Sequence, residues 1–235
     1  MLPREIRFAY LIEPPFCYRD AAGTVTGYDV EIARHVLNAL GIASVQFIEA
    51  EFSDLLGGLA EGRWDMTTGL FITEARQALV AFSQPLWALA DGLLIRQEAA
   101  GQIEGYRSLA RSNAARLGVI HDQVQHDTAR RLGVPDSRIT LFNTYEAAAD
   151  AVRTGSIDAY ASVALAHRGY LALSPDPRLA VVSVPDTEKQ PETGGFAYAK
   201  GNIDLRAAVD AALGVFFNTP DHRALAARFG FTLAA

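Results

Sequence analysis

Trp64-Asp65-Met66-Thr67-Thr68-Gly69-Leu70-Phe71-Ile72-Thr73-Glu74-Ala75-Arg76 holds two periodicities back to back. Residues 64–68 read as a short strand, and residues 73–80 read as a helix opened by Thr73. The same order extends outward on both sides. Upstream, strands at 6–10 and 45–49 alternate with helices at 28–40 and 53–61. In the first helix Val30, Ala33, Leu37 and Leu40 share one face, and Gly41 stops it. Downstream, a long apolar strand at 88–96 leads into a polar stretch at 97–105. The alternation then restarts, with strands at 117–120, 139–142, 157–162 and 179–184 and helices at 106–112, 123–132, 145–154 and 164–173. After a second polar, proline-bearing stretch at 185–195, a strand at 196–199 precedes helices at 205–217 and 222–229, candidates for packing back on the first half. This alternation predicts an α/β fold of largely parallel sheets covered by helices, arranged as two lobes. A cleft between lobes is then the expected ligand site.

Composition narrows the classes. The chain has 235 residues, half of them apolar and a fifth charged, so it can bury one large or two small cores and is not a disordered chain. No apolar run approaches the roughly 20 residues that span a bilayer. The net charge of −6 argues against nucleic acid, whose binders need a basic face. The single cysteine, Cys17, excludes a disulfide framework and any Cys-based zinc site, and it reads as a small buried hydrophobe. His121 and His126 have no third histidine nearby and are poorly spaced for one helix face. Neither a metal nor a cofactor is expected. Met1 leads straight into Leu2-Pro3-Arg4-Glu5 with no signal peptide, as a mature exported chain or a cytosolic one would.

Three blocks, taken in order, carry a resemblance. The first is Pro14-Pro15-Phe16, an acidic turn with Gly23, and Gly27-Tyr28-Asp29-Val30-Glu31-Ile32-Ala33. The second is Leu59, Gly62-Arg63-Trp64-Asp65-Met66, then Thr73-Glu74-Ala75-Arg76 and Ala81-Phe82-Ser83-Gln84-Pro85. The third is Gly155-Ser156-Ile157-Asp158-Ala159. Together they resemble the periplasmic solute-binding proteins of polar amino-acid ABC transporters. The resemblance implies two Rossmann-like lobes of periplasmic-binding-protein type II, joined by two hinge strands near Ile95 and Val184. The first lobe would comprise 1–95 plus 192–235, and the second 96–191. It further implies a periplasmic monomer that closes on a small solute, delivers it to a membrane ABC permease and performs no chemistry on it. Glu13-Pro14-Pro15-Phe16 with Thr68-Gly69-Leu70-Phe71 before Arg76 is similar to the ectoine/hydroxyectoine-binding branch.

Arg76 follows a strand end within the first turn of a helix, where a guanidinium can grip a carboxylate at two points. The plainer alternative is a surface arginine paired with Glu74 or Asp54. Glu13 lies in the loop after the first strand, at the carboxyl end of the sheet, where open α/β sheets bind ligands. Its carboxylate suits a cationic group, although an exposed loop acid is the plainer reading. Phe16, Phe52 and Phe71 fall on three loops of that same edge, and their faces suit a delocalised cation. The resemblance adds Gly69 in the first lobe and Gln123, Val124 and Ser162 in the second. Gln123-Val124 replaces the family's usual Gly-Thr pair at a helix start, with Asp122 as a plausible N-cap. Asp158 reads as a structural hydrogen-bonding group.

The amino-acid binders generally carry Ser or Thr where Phe71 stands, and an Asp where Val163 stands. Both departures remove holders of a primary ammonium, so the leading expectation is a small zwitterion such as ectoine or hydroxyectoine. A polar amino acid is the next reading, with Glu13 holding its ammonium. A prephenate- or arogenate-dehydratase-like enzyme on the same fold would need a general acid where Val163 stands. A receptor sensing domain is a further alternative.

Overall fold

The strand expected at 64–68 runs instead from Met66 to Phe71. Two side chains hold its start back. Trp64 turns inward and donates Nε1 to the Leu55 carbonyl at 3.1 Å. Asp65 is clamped by Arg7, whose backbone N, Nε and Nη2 all donate to its carboxylate. The end of the strand is prolonged by a neighbour that is remote in sequence. Glu192–Ala199 runs antiparallel beside it, with Gly194 opposite Phe71 and Gly195 opposite Leu70.

The structure is a computed structural model that describes residues 2–42 and 44–231. The chain forms two compact units, one of residues 1–87 with 193–235 and the other of residues 88–192. In the first unit the sheet order is Ser44–Glu49, Glu5–Tyr10, Met66–Phe71, Glu192–Ala199, Val80–Phe82. The first three strands are parallel, and Glu192–Ala199 is antiparallel to both of its neighbours in that order. Helix Tyr28–Ala39 buries Val30, Ala33 and Leu37 completely; Leu40 is its half-buried C-cap. The late helices Ile203–Phe216 and Pro220–Arg228 pack back on this unit. Phe216 stacks on His35 at 4.0 Å, and His222 Nε2 meets the Tyr28 hydroxyl at 2.9 Å.

The second unit orders its strands Ile139–Phe142, Leu117–Ile120, Ala159–Val163, Asp91–Arg96, Leu179–Ser183. The first three are parallel, and Asp91–Arg96 is antiparallel to both its neighbours. This pairing corrects two expectations. The long strand at 88–96 is two strands, Trp87–Leu89 and Asp91–Arg96, interrupted at Ala90, whose carbonyl accepts from Ala164 N at 3.1 Å. The division between units also falls before Asp91 rather than at 95/96, because Asp91–Arg96 is a central strand of the second sheet. The return crossing lies at 192/193 rather than 191/192. Asp158 makes the structural hydrogen bonds its sequence position suggested, accepting from Arg116 N at 2.8 Å and from Arg96 Nη2 at 3.1 Å.

Candidate functional site

Three parallel strands of the first unit deliver their carboxyl ends to one edge. The chain passes from Tyr10 to Glu13 and Phe16, and from Glu49 to Phe52, while Phe71 ends its own strand. Phe71 is therefore a strand residue and not, as the sequence suggested, a loop residue. The turn at Glu13–Cys17 is closed by Glu13 N donating to Cys17 O at 2.8 Å, with Phe16 N and Cys17 N donating to Glu13 O. The helix that follows holds the turn in place. Tyr28 N donates to Pro15 O, and Asp29 N to Phe16 O, at 2.9 and 3.1 Å. Gly27 permits this approach, since it has φ +127° and a Cβ there would lie 2.2 Å from the Phe16 carbonyl oxygen.

Arg76 is buried rather than on the surface. Thr73 caps its helix, Glu74–Leu79, by accepting from Arg76 N at 3.2 Å, as the sequence implied. The Arg76 guanidinium donates Nη1 to the Phe71 carbonyl at 3.2 Å and lies 5.3 Å from the Phe52 ring centre, within cation–π range. Asp54, one of the partners a surface arginine would have used, pairs with Arg63. Phe52, Phe71 and Arg76 thus meet, although their elements are separate in the chain. Gly69, on the same strand as Phe71, has φ +81°, and a Cβ there would press to 2.6 Å from Leu11 Cδ2.

The remaining aromatics converge on Trp87, which sequence reasoning did not single out. Its ring meets Phe71 edge-on at 5.4 Å and Phe16 at 5.8 Å. Gly194 makes room for it, because a Cβ at that position would fall 1.9 Å from the indole. Trp87 Nε1 donates to Asp29 at 3.1 and 3.3 Å to its two oxygens, and Thr68 Oγ1 donates to the same carboxylate. Burial raises the Asp29 pKa to about 7, against the pull of those two donors. The available signal for Asp29 was its place on the helix face of Ile32, Ala33 and Val36, all fully buried. An aspartate there must find donors inside. Glu13 is also buried, and its charge together with that of Asp29 adds to the burial that pushes the Cys17 thiol up.

In the second unit, Leu117–Ile120 and Ala159–Val163 are parallel neighbours, so Gln123 and Ser162 follow or occupy the carboxyl ends of adjacent strands. Gln123 is itself the N-cap position of helix Val124–Arg131, with no side-chain cap. The expectation that Asp122 caps this helix is overturned: Asp122 sits one residue earlier with φ +64°. Gln123 is buried, and among the described residues its Oε1 has no hydrogen-bond partner; Val124 is half-buried and Ser162 buried.

Two sheet-based α/β units, linked by chain crossings near 87/88 and 192/193, define the solute-binding class of architecture. The chain belongs to the bacterial extracellular solute-binding proteins, family 3, whose pattern it matches over residues 6–232. It is thus a member of an amino-acid ABC-transporter family of extracytoplasmic proteins that bind small ligands and interact with ABC permeases. It is 31% identical, over 96% of its length and 77% of the relative's, to the "probable amino-acid ABC transporter periplasmic-binding protein y4tE" of Sinorhizobium fredii. It is 25% identical to the amino-acid-binding protein AabA of Dichelobacter nodosus, over 85% of this chain and 77% of that one. Among solved structures, EhuB in complex with hydroxyectoine superposes with a TM-score of 0.87 at 27% identity, over 97% of this chain and 89% of that one. An ancestral arginine-binding protein bound to glutamine also gives 0.87, at 20% identity over 97% and 99%, a likeness of fold alone. Among the described residues, no helix is long and apolar enough to cross a membrane.

Proposed function

We propose that this protein is a periplasmic, monomeric binding component that captures a zwitterion with a delocalised cation, ectoine or hydroxyectoine, for an ABC importer. The observation that carries the reading is the juxtaposition of a buried guanidinium with an aromatic cluster on one sheet edge: Arg76 over Phe52, and Phe16 and Phe71 against Trp87. In this reading Arg76 takes the carboxylate, Glu13 and the rings take the charge-delocalised end, and Gly69 keeps the backbone slim beside them. Gln123, Val124 and Ser162 are proposed to complete the ligand contacts from the second unit, and ligand-driven closure is proposed to bring them into play. Solution scattering checks the closure: the radius of gyration should fall on ligand addition, and an unchanged value would argue for a rigid molecule.

Binding a primary ammonium requires several fixed acceptors, since burying it without them is costly. The side chain of Val163, the N-cap residue of helix Ala164–Leu173, offers none, and it offers no proton to a dehydratase-type reaction either. The second reading, a polar amino acid held by Glu13, draws its support from the amino-acid-binding names of the two curated relatives. Calorimetry separates the two. Ectoine or hydroxyectoine should bind at least about tenfold more tightly than any common α-amino acid, about 1.4 kcal/mol. Micromolar glutamine, histidine or arginine binding with no response to cyclic or methylated solutes would reverse the assignment. Arg76→Ala should cost about 2–5 kcal/mol of binding for whichever ligand the wild type takes.

A further inference from the structure

Behind the aromatic cluster lies an anion that the carboxylate-and-rings reading does not use. Asp29 is completely buried, and the donors to its carboxylate are neutral: the Thr68 hydroxyl and the Trp87 indole N–H. Among the described residues it has no ion-pair partner. Among the described residues, the titratable groups that feel its charge include Cys17, which also feels Glu13, and Tyr28. His222 sits beyond, on the Tyr28 hydroxyl, and burial lowers its pKa, so it is neutral at neutral pH. Every one of these neighbours is neutral or acidic at that pH. Isolated buried carboxylates are costly, and the start of helix Tyr28–Ala39 offsets only part of that cost.

Both donors of Asp29 lead to the ring cluster. Thr68 lies on the strand that ends in Phe71, and Trp87 touches Phe71 and Phe16 directly. A carboxylate accepting from an indole N–H polarises the ring toward its face and strengthens the attraction of that face for a cation. Resting on the zwitterion reading above, we propose that Asp29 is the buried counter-charge for the cationic end of the ligand, a positioning residue that acts through the Trp87 indole. A cation that favours ionised Asp29 must, by reciprocity, bind more tightly once Asp29 is ionised. Burial places that ionisation near neutrality.

The test is calorimetry with hydroxyectoine from about pH 5.5 to about pH 8.5, a window that brackets an acid titrating in the neutral range. Wild-type affinity should rise about five- to tenfold across it. Asp29→Asn should flatten the profile with its circular dichroism unchanged. A rise that persists in Asp29→Asn overturns the proposal. So does a rise that Glu13→Gln abolishes and Asp29→Asn leaves intact. Wild-type protein that binds no hydroxyectoine at any pH refutes the ligand reading instead, and the counter-charge role with it. A second measurement needs no ligand. In Trp64→Phe, which leaves Trp87 as the sole tryptophan, emission should titrate with a midpoint near 7, and Thr68→Val should move that midpoint upward by removing a donor to the anion. Emission indifferent to pH overturns the coupling even if Asp29→Asn fails to fold.

Discussion

Among the described residues each unit buries one aspartate, and the two are treated in opposite ways. Asp91, in the second unit, is met by the Lys189 ammonium at 3.2 Å, the Tyr106 hydroxyl at 2.6 Å and Gln125 Nε2 at 3.1 Å. Asp29, in the first, has a hydroxyl and an indole N–H. Burial raises the pKa of both, but only Asp91 has a cation pulling the other way. A fully partnered buried charge ties elements together: Lys189 also reaches Glu192 at 3.1 Å, so it joins the opening strand of its unit to the closing segment. A buried charge with neutral partners contributes little to such a tie and keeps its field available to whatever binds nearby. The same residue type thus has a structural role in one unit and a chemical one in the other, and its partners make the difference.

The largest effect should come from breaking the tie. Lys189→Met leaves Asp91 buried beside neutral donors and should cost about 3–5 kcal/mol in urea unfolding. Adding Asp91→Asn to it should restore much of the loss. A cost below about 1 kcal/mol would mean that the pair is not a structural tie at all. The next effect is at Asp29 and has the opposite logic. Its folded pKa lies near 7, above the ordinary 3.8, so the folded state binds the extra proton between those values. Its contribution to stability is present at acid pH and is lost as pH rises toward 7, by up to about 4 kcal/mol. Asp29→Asn should remove that decline, so its unfolding free energy should vary less than that of the wild type between about pH 4 and about pH 8. An identical slope in the variant would place the titrating group elsewhere. The smallest effect is at Asp158, where the Arg116 and Arg96 hydrogen bonds hold the pKa below its ordinary value against the opposing cost of burial. Its contribution should be present above pH 3.8 and lost as pH falls further, so Asp158→Asn should cost about 1 kcal/mol at pH 7. Acid unfolding curves of the variant and wild type should converge at low pH.

Most elements were legible because each carries its own signal. The face of Val30, Ala33 and Leu37, the Thr73 cap and the 117–120 and 139–142 strands are all read from neighbours a few residues away. The candidate site was half legible. Arg76, Phe52 and Phe71 do come together, and the loop chemistry around Glu13 and Phe16 follows from Gly27 and the helix amides. Trp87 and Asp29 were missed, because what makes them matter is a hydrogen bond between residues fifty-eight apart in sequence. No periodicity records such a contact.

The sequence by itself determined the α/β alternation, the solute-binding family and the chemical types gathered at one sheet edge. These depend on local pattern and on motifs whose order survives in one dimension. Only the tertiary structure decided where the first unit ends, because that depends on Asp91–Arg96 finding its partners at Ala159–Val163 and Leu179–Ser183. It also decided which aspartate received a cation. The apolar face of Ile32, Ala33 and Val36 marks Asp29 as buried, but nothing within several residues of Asp29 or Asp91 says which of them receives a cation. The distinction comes from Lys189, ninety-eight residues from Asp91, which folding brings to one aspartate and not to the other.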